Sequence, residues 1–201
     1  MKKMLLFISM TMMLTANGLE TLPLNQKWLN SERMVEQYSR GKYLIVLAHS
    51  QLDPYLTDAT PGGDFLEFKQ SQGFDVEVVS MNTLGLSTTD ASELRDWLHT
   101  YSDNNPMLEY VLLVGDVTGS LTIPTHFIQS INEPEQDVTD YPYSFFVDDP
   151  SSEDYDVMTP KFILGRFSIR NPGDLMMLKS RTIQYTRMEN LSDDDLDYFN
   201  N

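Results

Sequence analysis

Tyr110-Val111-Leu112-Leu113-Val114-Gly115-Asp116 is an aromatic and apolar run closed by a glycine and an acid. The run does not alternate apolar with polar residues, so it suits a strand covered on both faces, as in a parallel sheet. Working outward, Tyr43-Leu44-Ile45-Val46-Leu47-Ala48 has the same character and predicts a first strand. Asp75-Val76-Glu77-Val78-Val79-Ser80 predicts a second, and Phe162-Ile163-Leu164, within the strand signature Lys161 to Ser168, a fourth. The segment 50–62, with Pro54 and Pro61 beside Gly62 and Gly63, reads as a loop. Asp64 to Gln72 reads as a helix with Phe65, Leu66 and Phe68 facing inward and Gly73 as its left-handed stop. Ser87 followed by Asp90 resembles a helix start, continued at helical spacing by Leu94, Trp97, Leu98 and Tyr101 and broken at Asn104-Asn105-Pro106. Asn171-Pro172 starts a last helix, with Leu175, Met176, Leu178, Ile183 and Tyr185 on its apolar side and an end near Glu189. The alternation of strand and helix predicts an α/β fold: an open, mainly parallel four-stranded sheet with helices on both faces. A tyrosine-rich acidic hairpin, Thr139-Asp140-Tyr141-Pro142-Tyr143-Ser144-Phe145-Phe146, is inserted before the fourth strand.

The chain has 201 residues, 41% of them hydrophobic, enough for one domain with a sizeable core. Its formal charge of −16 argues against a nucleic-acid partner, because phosphate contacts need Lys and Arg. From Asp96 to Pro160 there is no Lys or Arg, while thirteen Asp and Glu occur. Such a face stays hydrated, binds a divalent cation or repels acidic partners. Residues 1–18 read as an export signal: Lys2 and Lys3 precede an apolar run from Met4 to Leu14, too short to span a bilayer, and Ala16-Asn17-Gly18 suits cleavage after Gly18. No later segment is apolar enough to cross a membrane. The expected location is secreted, periplasmic or at the cell surface. Residues 19–41, with Trp28 and a weakly helical stretch around Ser31–Ser39, form a lead-in; 42–189 form the α/β unit; and 190–201 form an acidic linker that looks cut. With no cysteine there are no disulfides, so stability must come from the core or from bound ions.

Asp116 stands where an open parallel sheet gathers functional groups. It reads as a phospho-acceptor, a metal ligand or a structural cap of the next turn. A phospho-acceptor site would want further acids after the first strand, where His49-Ser50-Gln51 stand instead. Asp148, Asp149, Glu153, Asp154 and Asp156 are dense in oxygen donors and are the candidate calcium ligands, although the regular loop spacing with its central glycine is lacking. A solvated turn is the competing reading. Arg166, at a strand end after Gly165, is expected to pair with acids of the hairpin, and Asp116, Asp140 and Arg166 are taken as structural residues. His49, which could line the crevice, His99 and His126 have no zinc-ligand spacing, and Ser50 and Ser144 lack nucleophile-elbow glycines. Phosphate-loop and dinucleotide fingerprints are absent.

The ordered set Phe65-Leu66-Glu67-Phe68-Lys69, Gly73-Phe74-Asp75-Val76, Tyr110 to Asp116, Ile123-Pro124, Asp140-Tyr141-Pro142-Tyr143, Gly165-Arg166-Phe167-Ser168 and Thr182-Ile183-Gln184-Tyr185 resembles the N-terminal half of a gingipain-type cysteine peptidase. The resemblance covers roughly Tyr43 to Glu189. It implies a caspase-like, broadly flavodoxin-like three-layer sandwich. It also implies two side-by-side subdomains, of which the first breaks no bond and the second supplies a catalytic histidine, a catalytic cysteine and most of the substrate pocket. No residue here matches that pair, so none is assigned a catalytic role. The resemblance implies that the chain needs no cofactor, that calcium is the one candidate ion, and that peptide substrate is met only through a C-terminal catalytic subdomain that is missing here. The rival readings are a stand-alone acidic module that binds calcium or a partner at the cell surface, and a receiver-like signalling domain, which an export signal argues against.

Overall fold

A computed structural model describes residues 40–60, 62–129, 136–146 and 160–187. Four parallel strands form the central sheet in the order β2-β1-β3-β6: β1 (Lys42–Leu47), β2 (Asp75–Ser80), β3 (Leu108–Val114) and β6 (Ile163–Phe167). Between β1 and β2 lie a 3-10 turn (Ser50–Leu52), α1 (Asp53–Thr57) and α2 (Phe65–Ser71). Between β2 and β3 lie α3 (Met81–Leu84) and α4 (Ala91–Asn104). β4 (His126–Gln129) and β5 (Gln136–Thr139) form an antiparallel pair between β3 and β6. A 3-10 turn (Tyr141–Tyr143) follows, and α5 (Pro172–Arg187) comes after β6.

The two central strands carry the core. Leu44, Ile45, Val46 and Leu47 on β1, with Leu113 and Val114 on β3, are fully buried. The parallel register puts Tyr43, Val76, Tyr110 and Ile163 level with one another. On that face Lys69 of α2 sits over the Tyr43 ring, and Phe65 of α2 packs against Phe167 of β6. α5 packs beside α1 and α2. The other face takes α4. There Glu77 of β2 accepts from Lys42 Nζ and from the Tyr101 hydroxyl of α4, both at 2.7 Å. Burial works to raise the Glu77 carboxyl, but the two donors outweigh it and hold it below the usual range. The same bond to Glu77 raises Lys42. One acid thus joins β1, β2 and α4.

Local chemistry explains the element ends. The Asp64 carboxylate accepts from the amides of Leu66 and Glu67, satisfying two donors that a helix start leaves free. Gly73, at φ 92°, turns the chain from α2 into β2 in a conformation that other residues rarely adopt. Asp90, not Ser87, caps α4, accepting from Ser92; the first-turn acid is Glu93. Ser87 Oγ instead accepts from the amides of Thr89 and Asp90 and shapes the turn before the cap.

The structure departs from the sequence expectations elsewhere. The segment 50–62 is largely helical: Pro54 lies in the first turn of α1, where its fixed φ suits a helix, and Leu52 and Leu56 are fully buried. Within the signature Lys161 to Ser168, β6 runs from Ile163 to Phe167 and not only to Leu164, because backbone pairing with β3 continues through Gly165 and Arg166. The hairpin is earlier than expected, at His126–Thr139; Tyr141-Pro142-Tyr143 is a turn after it. Tyr185 is 71% exposed. It lies two residues from buried Ile183, about 200° round the helix, so both cannot face the core. Trp28, the stretch Ser31–Ser39 and Glu189 lie outside the described residues.

On α5, Leu175, Lys179 and Ile183 recur at four-residue spacing and all are fully buried. Lys179 Nζ donates to the carbonyls of Tyr55 and Asp58 at the end of α1. A cation there satisfies carbonyls that the helix end leaves free and complements its dipole. Burial lowers the Lys179 ammonium from its ordinary value, against the pull of Asp58 and Asp64. Lys179→Met keeps the length of the chain but leaves both carbonyls without their donor. We expect a loss of about 1–3 kcal/mol, read from the midpoint shift in urea denaturation, with little change in the slope.

Candidate functional site

The carboxyl ends of β3 and β6 meet the segments that flank the β4–β5 pair, and this junction is where the chain concentrates its polar chemistry. Gly115 amide donates to the Phe167 carbonyl at 3.0 Å. Asp116 and the segment 121–123 then close on each other through two backbone bonds of 2.9 Å. Gly115 is required at this crossing. A Cβ added there would lie 2.8 Å from the Leu121 carbonyl oxygen and 2.9 Å from Ala48 Cβ.

Arg166, level with Leu113 in the register, projects into the junction. Its Nε donates to Asp140 Oδ2 and its Nη2 to Asp140 Oδ1, each at 2.7 Å. Nη1 donates to the carbonyls of Gly115 (3.3 Å) and Ile123 (3.0 Å), and Nη2 also to that of Pro124 (3.2 Å). Arginine carries five N–H donors in a fixed fork, and all five find acceptors. The Arg166 side chain is 9% exposed. Asp140 also accepts from the Thr125 hydroxyl.

A second arginine closes the other side. Arg95 of α4 donates from Nε to the Pro142 carbonyl and from Nη2 to the Phe145 carbonyl, both at 3.0 Å. Tyr143 is fully buried, and its hydroxyl donates to the Pro124 carbonyl. Burial raises the Tyr143 phenol well above its ordinary value, so it stays a donor.

Asp116 lies beside this cluster. Its Oδ1 accepts from the Val117 amide at 2.8 Å and its Oδ2 from Arg170 Nε at 3.1 Å. The Val117 amide first, then Arg170, hold this carboxyl below the usual range. Arg170 is 84% exposed, so solvent and salt screen that pair. Asp116 is therefore engaged by the backbone of its own turn, and its oxygens are already committed.

The histidines are dispersed. His49 is exposed, and its Nδ1 accepts from the Gln51 amide at 3.2 Å. His99 pairs with Asp103 at 3.5 Å and stacks on Phe146. His126 packs edge to face on Tyr143. Among the described residues no hydrogen bond joins a histidine to a hydroxyl, the pairing that nucleophilic catalysis needs. A shallow hollow of about 250 Å³ opens at the carboxyl ends of β1 and β2, lined by Leu47, Ser50, Asp53, Ser80 and Thr83 among others, and it contains no histidine. No group of three His, Asp or Glu residues among the described residues could hold a metal ion. The candidate calcium ligands Asp148, Asp149, Glu153, Asp154 and Asp156 lie outside the described residues.

Sequence reading missed Arg95 and Lys179. Lys179 was detectable, because it occupies an apolar helical repeat. Arg95 was not, because its acceptors are backbone carbonyls 47 and 50 residues away. For Arg166, Arg166→Ala should cost about 3–5 kcal/mol by removing both guanidinium bonds to the Asp140 carboxylate and those to the carbonyls of Gly115, Ile123 and Pro124. Arg166→Lys keeps the charge but not the fork and should recover only a minor part of the loss. Thermal unfolding of the three proteins checks both; a lysine variant as stable as the parent would contradict the five-bond account.

The fold and this junction can now be set beside known proteins. The model of peptidase family C25 matches residues 37–198. The crystal structure of the Arg-specific cysteine proteinase gingipain R (RgpB) is similar at 26% identity with a TM-score of 0.51, covering 73% of this chain and 28% of that one. The complex of the Porphyromonas gingivalis RgpB pro- and mature domains is similar in fold, at 23% identity and a TM-score of 0.53, covering 72% of this chain and 29% of that one. The chain therefore spans less than a third of the length of these gingipain chains. No curated protein matches its sequence at a significant level. No helix among the described residues is long and apolar enough to cross a membrane. With the match running over most of its length, the chain belongs to peptidase family C25.

Proposed function

We propose that the α/β unit at residues 42–189 is the non-catalytic N-terminal subdomain of an exported gingipain-like cysteine endopeptidase, and that bond cleavage belongs to a separate, cysteine-bearing subdomain. The observation that carries the reading is chemical. A cysteine peptidase needs a thiolate, and the chain has no cysteine in 201 residues. The polar junction supports a holding role. Its arginines are consumed by backbone carbonyls and by Asp140, which leaves their donors committed within the fold.

The surface supports a role beside another body. Phe127 and Val138 face each other across the β4–β5 pair and are 62% and 56% exposed. Ile163 on the edge strand β6 is 58% exposed, and a Cβ at Gly165 would meet nothing within 4 Å. An exposed apolar edge strand is a site for pairing with another chain.

Two outcomes are expected. Chain recovered from the culture medium begins at Leu19 and hydrolyses no peptide amide, with or without added calcium; amidolysis that co-purifies with the chain would overturn the division of roles. At high concentration the isolated chain self-associates in sedimentation velocity. A sharp monomer boundary across the range would contradict the reading of an uncovered edge.

A further inference from the structure

His126 is the first residue of β4 and joins that strand to the Arg166 junction through Pro124 and Thr125. Its ring packs edge to face on buried Tyr143, with centroids 4.8 Å apart. Its Nε2 is buried and has no hydrogen-bond partner among the described residues. Around it stand Arg95 and Asp90 from α4 and its cap, and Asp140 from the segment after β5, whose carboxylate is held by Arg166. The next residue, Phe127, begins the exposed apolar face shared with Val138.

We propose that His126 is an acid-sensitive latch: the uncharged ring seats the β4–β5 pair against Tyr143, and protonation at Nε2 releases that pair from the junction. A neutral imidazole can leave one nitrogen bare at modest cost, by carrying its proton on Nδ1. A protonated ring of this half-buried residue must place a charged N–H at buried Nε2, where no acceptor lies among the described residues, and an unpaired charged donor costs more there than an unpaired neutral atom. The nearby positive group, Arg95, adds repulsion. Asp140 and Asp90 attract the charge, but Asp140 is already paired with Arg166. Consistent with this geometry, burial first and Arg95 second hold His126 below the ordinary histidine value.

The sign follows. A base whose folded value is depressed is uncharged in both states above the unfolded value, near pH 6.5, and adds no pH dependence there. Below it the released state binds the proton more readily, so the seated state loses ground until pH falls past the folded value. Each unit of depression is tenfold in the seating equilibrium.

The test is hydrogen exchange of the whole chain between about pH 7.5 and pH 5, with β1 and β3 amides as internal reference, alongside NMR titration of the His126 ring. We expect the β4–β5 amides to lose protection by about tenfold or more relative to the reference, with a midpoint that coincides with the ring titration. His126→Phe, which keeps the aromatic contact and removes the proton site, should hold the pair closed over the same range. Should that variant not fold, the coincidence of the two midpoints in the parent decides the matter alone. Protection that does not change with pH, a midpoint that follows carboxylate titration below about pH 4.5, or a loss that persists in His126→Phe would each overturn the latch.

Discussion

One guanidinium organises the carboxyl end of this sheet. Arg166 rises from an edge strand and spends all five of its N–H donors on the carboxylate of Asp140 and on the carbonyls of Gly115, Ile123 and Pro124. Those acceptors come from the end of β3, from the segment leading into β4 and from the segment after β5. None of these stretches is a regular element with its own ladder of bonds. Their backbone groups still have to be satisfied when buried, and a planar fork of donors does this for three segments at once. Arg95 repeats the device from the other side through the carbonyls of Pro142 and Phe145.

This explains how so acidic a chain keeps a polar junction without charge repulsion. The net charge is −16, and the stretch from Asp96 to Pro160 has no Lys or Arg of its own. The bases that stabilise it are imported, Arg95 from just before it and Arg166 from just after. The same economy appears at the opposite end of the sheet, where Glu77 takes bonds from Lys42 and Tyr101, and on α5, where Lys179 caps α1. Buried cations here bind acceptors of the fold itself. A catalytic site, by contrast, needs donors held open for a reacting atom, which is the ground of the supporting role proposed above.

Much of the architecture was legible in the residues. Unbroken apolar runs in β1 and β3 could only be strands covered on both faces, and Asp64 with Gly73 framed α2. Short helices were not legible: α1 hides in a proline-containing segment whose composition reads as loop, and buried Leu52 just before it with buried Leu56 within it give too short a pattern to show a period. The strand signature from Lys161 to Ser168 was legible, but its ends were not, because Gly165 and Arg166 are unlike core-strand residues; the pairing with β3 sets them at Ile163 and Phe167. The junction was half legible. The residue types at Asp140 and Arg166 suggested an ion pair, but the carbonyls that complete it have no signature in sequence. Tyr185 was misplaced because it was counted with an apolar set whose angular positions do not agree.

The central claim is that Arg166 is held rigid by five simultaneous bonds. The most direct measurement is nitrogen-edited NMR of the arginine side chains at neutral pH. A fully bonded guanidinium should show four separate, slowly exchanging Nη protons, because rotation about either Cζ–Nη bond would break both bonds made by that nitrogen. A single averaged and rapidly exchanging Nη signal for Arg166 would contradict the account.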